Sequence, residues 1–217
     1  PNDANSIAKE LGWEKYYESA KLGMGNMITY NPKTLKFIGS PTSLKLNKLE
    51  SSTVKYNEDR VCLFMEFEDF ILLGSHLQKD AFTVHAKKIT DKVKAEYAKK
   101  GKPVIFCGDM NTRPYAVELK DFTSEWRVLS RTDQSTFYNP DQPDNLICID
   151  YIFLWKGGPD VNVTKTEVCK SVTCGTITDA SDHLPIYVDV TIGNSSLPLL
   201  EEDVSLGSYN VVAENYQ

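Results

Sequence analysis

One long helical pattern lies between two short apolar segments, and this arrangement constrains the fold more than any other feature. The segments FILLGSH (70–76) and PVIFCGD (103–109) are typical of buried strands. Between them, residues 80–100 change to a helical period that ends at Gly101. Four apolar residues of this helix share one stripe, and lysines lie on the opposite face. The four are Phe82, Ile89, Val93 and Tyr97. Strands with a helix between two of them indicate a layered α/β domain.

The remaining segments are mostly strand-like and are separated by Gly, Asn and Pro. Further strands are predicted at residues 13–19, 25–31, 35–40, 60–68, 146–155, 160–169 and 184–192. Alternation within RVCLFMEFE (60–68) predicts a half-buried strand that pairs with FILLGSH. Short helices are expected near residues 2–12 and from Pro114.

Length and charge set limits on the domain organisation. The 217 residues suit one domain, which we place at residues 1–193. Residues 194–217 lack periodicity and have four acids and no Lys or Arg, so this acidic tail carries −4 of the net charge of −6. The rest of the chain is close to neutral, which disfavours a surface that holds long nucleic acid by charge alone. No apolar run approaches the roughly 20 residues that span a bilayer, so we expect no stable membrane insertion.

The cysteines and sequons bear on the compartment. Three of the five cysteines lie in apolar segments and are expected to behave as small hydrophobic residues: Cys62, Cys107 and Cys148. Cys169 and Cys174 are close enough in sequence to form a disulfide in an oxidising compartment. Together with the sequons at Asn162 and Asn194, this pair favours a secreted or extracytoplasmic protein.

Polar residues stand at four strand ends where burial alone would not select them. They are Ser75-His76, Asp109 with Asn111, Asp150, and Asp182-His183. Each has an ordinary structural alternative, because a His beside a strand commonly serves as a hydrogen-bonding residue and an Asp beside Gly or Ser forms turns. Asp150 is flanked by apolar residues on both sides, so its carboxylate needs a partner.

If these four ends converge, they assemble three acids, an amide and two imidazoles. Carboxylate oxygens suit a hard divalent cation, and acids with imidazoles suit the activation of water for phosphate hydrolysis. The sequence has no GxSxG nucleophile elbow and no GxxxxGK[ST] loop, which excludes those two classes of site.

The segments GSHL, CGDMNTRP, IDYIF and SDHLPI, in this order, resemble the later motifs of the endonuclease/exonuclease/phosphatase superfamily. KLGMGNMITYNP resembles the Gly-x-Gly-Asn segment of the same family, and the resemblance covers residues 12–192. It implies an α/β (α+β) fold of the deoxyribonuclease I type, a four-layer αββα sandwich. It also implies a divalent-metal-dependent hydrolase of phosphoesters that uses Mg²⁺ or Mn²⁺.

The same resemblance implies residue roles. Asp109 would activate the attacking water, Asn111 would hydrogen-bond the phosphate, and His76 would donate to a phosphate oxygen. His183 would stabilise the phosphoryl group or act as an acid or base, with Asp150 fixing its ring. Asp182, with Asp109, would bind the metal. Arg113 is a further candidate for a phosphate contact, against the alternative of an ordinary surface arginine. The implied substrates are a small phosphodiester, a phospholipid headgroup, a sugar phosphate or a nucleic acid.

The sequence also departs from the family pattern. The family begins with a strand that carries an Asn and a strand that ends in the metal-binding Glu, and neither precedes Pro1; NDANSIAKELGW resembles the helix that follows them. We therefore expect a fragment of a longer protein or a replacement for the two strands. VSLGSYNVVAEN resembles the opening strand, so Asn210 is one candidate replacement, the alternative being a chance similarity in an acidic tail. Without the Glu, a degenerate phosphate-binding module is the alternative function.

Overall fold

A six-stranded mixed sheet forms the centre of the molecule. The computed structural model describes residues 2–20, 25–51, 57–137, 147–170 and 181–193. The strands are β1 (Glu14–Ser19), β2 (Gly25–Tyr30), β3 (Phe37–Leu46), β4 (Arg60–Phe67), β5 (Ile71–Ser75), β6 (Val104–Asp109), β7 (Trp126–Val128), β8 (Asp150–Trp155), β9 (Val161–Val168) and β10 (Ile186–Ile192). The helices are α1 (Asn2–Leu11), α2 (Phe82–Lys92) and α3 (Val117–Phe122). The central sheet has the order β3-β4-β5-β6-β8-β7.

Strand pairing brings the predicted site segments to neighbouring positions. β4 and β5 form the predicted antiparallel pair. β5 and β6 are parallel, and α2 provides the crossover connection that such a pair requires. β6 and β8 are antiparallel, with Asp109 directly opposite Asp150. The short strand β7 was not predicted; it pairs with β8 at the edge of the sheet.

Two apolar layers cover the two faces of this sheet. On one face, Phe64, Phe106 and Phe153 pack with residues of α2 and α3. On the other face, the side chains of β4, β6 and β8 pack against two separate hairpins, β1–β2 and β9–β10. The predicted layered α/β architecture is therefore confirmed.

The prediction that β4 is half-buried is wrong. Every residue of β4 except Glu66 is buried. Cys62 and Phe64 belong to the helix-side core, whereas Val61, Leu63 and Met65 belong to the core under the hairpins. A strand covered on both faces carries apolar residues at consecutive positions, so alternation has no meaning there.

The helix predicted at 80–100 is confirmed as one continuous helical segment. A 3₁₀ turn (Lys79–Ala81) precedes α2, and a π-helical turn (Val93–Tyr97) and a 3₁₀ turn (Ala98–Lys100) follow it. All four residues of the predicted stripe are buried. Gly101 ends the segment with a φ of 65°, a conformation that glycine adopts without a steric penalty.

Several predictions fall outside the described residues. These include the acidic tail 194–217 with Asn210, and Cys174, the predicted partner of Cys169. Cys62, Cys107 and Cys148 are buried, as predicted. Within the described residues, no helix combines the length and apolar character needed to cross a membrane.

Candidate active site

Asp109 follows a glycine at the buried end of β6 where a larger residue would force the backbone to shift. Gly108 has a φ of 143°, and a Cβ there would lie 1.8 Å from the carbonyl oxygen of Ser75. Leu77 follows β5, and its backbone N–H donates a hydrogen bond to the carbonyl oxygen of Asp109 at 2.8 Å. This bond fixes the backbone of Asp109. The residue is 3% exposed. The backbone of Asp109 is therefore held in place, and its buried carboxylate has little freedom to move.

Asn111 lies at a bend in the chain just after β6 and contacts Asp109. Its φ of 48° is in the left-handed region, which Asn adopts more readily than most residues. Its backbone N–H donates to Oδ1 of Asp109 at 2.7 Å. Its side-chain Nδ2 donates to the carbonyl of Leu77 at 2.9 Å, which identifies this atom as the amide nitrogen. Both ends of Asn111 are thus fixed beside the carboxylate.

The half-buried His183 pairs with the buried Asp150. Nδ1 of His183 lies 2.9 Å from Oδ2 of Asp150, and because a carboxylate accepts, Nδ1 carries the proton. Thr136 Oγ1 accepts hydrogen bonds from the backbone N–H groups of Ile149 and Asp150, which fixes the start of β8. The ring of Phe137 packs edge-on against the imidazole, with centroids 5.1 Å apart. The orientation of His183 is therefore set on two sides.

The four strand ends meet around Oδ2 of Asp109. His183 Nε2 lies 3.9 Å from this oxygen and His76 Nε2 lies 3.4 Å from it. Asn111 Nδ2 is 3.4 Å from the same oxygen. Predicted site residues from four separate segments, including Asp150, therefore occupy one small region. Their predicted roles stay predictions.

Two other predicted residues are placed differently. Asp182 is half-buried, and its charge acts on His183, but it is not in the group of close metal-ligand atoms found among the described residues. Its role as a metal ligand stays a prediction. Arg113 is directed towards Tyr115, whose hydroxyl accepts a hydrogen bond from Nη1 at 2.8 Å.

The charges of the site follow from burial and from neighbouring groups. Burial, reinforced by the charge of Asp150, raises the pKa of Asp109 to about 7. Burial acts to lower the pKa of His183, but the hydrogen bond and charge of Asp150, with the charge of Asp109, outweigh it and raise that pKa. Burial, with the positive charges of Arg60 and His183, lowers the pKa of His76 to about 3.

The hydrogen bonds agree with a neutral His76. Nδ2 of Asn111 lies 2.9 Å from Nε2 of His76. Because Nδ2 can only donate, Nε2 accepts, and a protonated ring has no acceptor. In this arrangement His76 orients Asn111.

The sequence reasoning missed Arg60 and Tyr151. Arg60 is 6% exposed at the start of β4, and its Nη1 lies 3.4 Å from Nδ1 of His76. The signal that could have identified Arg60 is a charged residue at the start of an apolar strand. The buried hydroxyl of Tyr151 donates to the carbonyl of Thr112 at 2.9 Å and anchors the chain just beyond Asn111. No local sequence pattern identifies that contact.

The residues of the site fit a divalent cation. Ligand atoms of Asp109, Asp150 and His183 lie within 4.8 Å of one another. Oδ1 of Asp150 is buried and has no hydrogen-bond partner among the described residues. Two buried carboxylates close together repel each other, and a cation would relieve that repulsion.

Comparisons of fold agree with the sequence resemblance. The mannosyl-6-phosphatase of Bacteroides thetaiotaomicron superposes with a TM-score of 0.72 and 18% identity, over 88% of this chain and 82% of that one. The catalytic domain of human Nocturnin, solved with a bound sulfate anion, gives a TM-score of 0.65 and 16% identity, over 88% and 76% of the two chains. D. rerio TDP2, solved with a single-strand DNA product, gives 0.64 and 18%, over 88% and 82%. The predicted deoxyribonuclease I-like α/β sandwich is thereby confirmed.

No curated protein sequence matches the chain. Residues 42–183, more than half of the chain, match the model of the Endonuclease/Exonuclease/phosphatase family. The matched range contains His76, Asp109, Asn111, Asp150 and His183. The chain therefore belongs to the endonuclease/exonuclease/phosphatase family.

Proposed function

We propose that this protein is a divalent-metal-dependent hydrolase of phosphoesters, with water as the nucleophile. The observation that carries the proposal is the convergence of two imidazoles and an amide on Oδ2 of Asp109, within 3.4 to 3.9 Å. A water and a phosphate beside this buried carboxylate oxygen would each have polar partners among these groups.

Asp109 is the proton acceptor in this proposal. Burial and Asp150 bring its pKa to about 7, close to the pH at which a general base works best. The hydrogen bond from Asn111 N to Oδ1 occupies one carboxylate oxygen. Oδ2, on which the two imidazoles and the amide converge, would orient the attacking water and accept its proton.

His183 supplies positive charge and a proton donor. With Nδ1–H bonded to Asp150, the opposite nitrogen, Nε2, faces Asp109 across 3.9 Å. The raised pKa of His183 favours its imidazolium form. Nε2–H can then donate to a phosphoryl oxygen as negative charge develops, or to the departing oxygen.

Asn111 and His76 complete the phosphate contacts. The amide nitrogen of Asn111 is a neutral donor, held between Leu77 and His76. A bound phosphoryl oxygen would compete with His76 for this donor. Once a phosphoryl oxygen takes the Asn111 donor, Nε2 of His76 no longer accepts from it. The predicted donation from His76 to phosphate then requires the other neutral tautomer, with the proton on Nε2.

Asp109, Asp150 and Asp182 are the candidates that would hold the metal. Their oxygens favour Mg²⁺ or Mn²⁺ over softer ions. When bound, such an ion would offset the negative charge of the phosphate and lower the pKa of a coordinated water.

For the substrate we propose a group of phosphoester classes and no single compound. A fold neighbour named as a mannosyl-6-phosphatase and another solved with a DNA product show that this fold occurs with different phosphoesters. The nearly neutral body of the chain favours a small phosphodiester, a phospholipid headgroup or a sugar phosphate over long duplex nucleic acid.

Hydrolysis of bis-p-nitrophenyl phosphate tests the proposal. We expect release of p-nitrophenol that depends on Mg²⁺ or Mn²⁺ and stops when EDTA is added. Binding of phosphate without turnover under both metals would support the degenerate binding module instead.

A further inference from the structure

Two hydrogen-bond donors face the two ring nitrogens of His76. Nδ2 of Asn111 lies 2.9 Å from Nε2, and Nη1 of Arg60 lies 3.4 Å from Nδ1. A guanidinium has no acceptor and keeps its charge in proteins, so Arg60 can only donate in this contact. A neutral imidazole has a single acceptor nitrogen, so only one of the two donors can be hydrogen-bonded to the ring at a time.

The strands β4 and β5 hold Arg60 beside His76. The carbonyl oxygen of Val61 accepts two hydrogen bonds, from Ser75 Oγ at 2.9 Å and from Asn26 Nδ2 at 2.8 Å. The first of these bonds links the residue before His76 to the residue after Arg60. Arg60 is also 6% exposed, so its side chain has little room to adopt another position.

The positive charge of Arg60 is balanced inside the protein. Burial acts to lower the pKa of this guanidinium, and the negative charges of Glu58 and Asp109 act against it. A buried charge is costly unless nearby groups compensate it. The guanidinium is therefore a fixed, charged donor at Nδ1 of His76.

The two donors select different tautomers of His76. When Asn111 donates to Nε2, the ring proton is on Nδ1, which then faces a group that also donates. When Arg60 donates to Nδ1, the proton is on Nε2, which lies 3.4 Å from Oδ2 of Asp109. The contact with Asn111 is the shorter of the two, so this structure favours the Nδ1–H tautomer.

We propose that Arg60 is a positioning residue that stabilises the Nε2–H tautomer of His76 when phosphate occupies the site. A phosphoryl oxygen that accepts from Asn111 removes the hydrogen bond that keeps the ring proton on Nδ1. Nδ1 then releases its proton to water and accepts from Arg60, while Nε2 takes up a proton from water and donates it in a hydrogen bond to phosphate. The ring gains and loses one proton, so its charge does not change. Its side chain is 19% exposed, which gives water access to it.

This inference deepens the proposed function and rests on phosphate binding beside Asn111. Its test is the tautomer of His76, read by NMR from the ¹⁵N chemical shifts of the two ring nitrogens, which differ widely between a protonated and an unprotonated nitrogen. The full chain is titrated with inorganic phosphate in the presence of Mg²⁺ at constant pH. The chain has three histidines, so few signals have to be assigned.

The variants separate the donor from the bulk of the side chain. Arg60→Lys keeps a charged donor, whereas Arg60→Met keeps a long side chain and removes both the donor and the charge. Arg127→Met is the matched control, because Arg127 is a partly buried arginine on the edge strand β7 that pairs with Asp160.

We expect saturating phosphate to raise the ratio of the Nε2–H to the Nδ1–H tautomer by about tenfold or more in the unaltered chain and in Arg127→Met. Arg60→Lys should keep most of this change, and Arg60→Met should lose it. No change in the unaltered chain, or a change of the same size in Arg60→Met, would overturn the inference.

A second measurement needs no variant to fold. The phosphate-bound unaltered chain should show a ¹⁵N–¹⁵N scalar coupling across the hydrogen bond between Arg60 Nη1 and His76 Nδ1, and its absence would equally overturn the inference. A phosphate-driven change of tautomer in a protein that hydrolyses no phosphoester would contradict the proposed hydrolase alone. Turnover without that change would contradict only the role of Arg60.

Discussion

Nδ1 of His183 lies 2.9 Å from Oδ2 of Asp150, although 33 positions separate the two residues. Asp150 is 2% exposed, so its charge acts on the imidazole with little screening by water. This contact determines which nitrogen of His183 faces Asp109, and it favours the charged ring.

Asp150→Asn should uncouple this pair without changing its shape. The amide oxygen can still accept from Nδ1, but the negative charge is lost, so the pKa of His183 should fall. We expect kcat/KM for phosphoester hydrolysis to drop by about 100-fold or more at neutral pH. The pKa of His183 can be followed by NMR.

Asp160→Asn is the matched control for this experiment. Asp160 is an exposed carboxylate paired with Arg127, and it lies beyond the end of β8 opposite to Asp150. This variant should leave both kcat/KM and the pKa of His183 unchanged. An Asp150→Asn protein with the original pKa and activity would show that the pair has no part in the chemistry.

Gly108→Ala should displace Asp109. The new Cβ would lie 1.8 Å from the carbonyl oxygen of Ser75, so the backbone of β5 or β6 has to move. We expect a loss of more than about 3 kcal/mol in the free energy of unfolding, or failure to fold. Denaturant unfolding measures the change.

Gly39→Ala separates this clash from ordinary backbone strain. Gly39 also has a positive φ, of 77°, but a Cβ there meets nothing within 4 Å. Its substitution should cost about 1–2 kcal/mol. Similar losses for the two variants would mean that the close approach to Ser75 is unimportant.

His85 should make the fold sensitive to acid. It is 0% exposed, its Nε2 donates to the carbonyl of Asn47 at 2.9 Å, and Nδ1 is buried without a hydrogen-bond partner among the described residues. Burial, with the charges of Lys88 and Arg60, lowers its pKa despite the bond to Asn47. Because the unfolded chain then binds the proton more readily, stability should fall as the pH drops below about 6.5.

His85→Gln keeps a donor for Asn47 and removes the titration. The free energy of unfolding, measured from pH 7.5 to pH 5, should fall less steeply in the variant, by up to about 1.4 kcal/mol per pH unit. His76 and Asp109 titrate in both proteins, so the difference between the two curves isolates His85. Parallel curves would contradict the lowered pKa.

The local patterns predicted most of the fold, and the exceptions have physical causes. The helix at 80–100 was predictable because one face is buried and the other is exposed to solvent. Its apolar residues therefore recur with a clear helical period. β4 was misjudged because a strand buried on both faces shows no such contrast, and its incidental alternation was read as one-sided burial. β7 has three residues, too few for any period to show.

The candidate site was predicted from polar residues at the ends of apolar strands, because burial does not select Asp or His there. Arg60 and Thr136 act through contacts between segments that lie far apart in the chain, namely with His76 and with the start of β8. Such contacts are set by strand order and register. Neither is encoded in a short stretch of sequence.

In the proposed mechanism, Asp109 activates water for phosphoester hydrolysis. The most direct measurement compares the unaltered chain with Asp109→Asn, by the rate of bis-p-nitrophenyl phosphate hydrolysis in saturating Mg²⁺ or Mn²⁺. Asparagine keeps the size of the side chain and an acceptor for Asn111 N, so circular dichroism should show an intact fold.

We expect metal-dependent turnover by the unaltered chain and a loss of about 100- to 10,000-fold in Asp109→Asn. Full activity in a folded Asp109→Asn protein, or no turnover by the unaltered chain with either metal, would refute this mechanism.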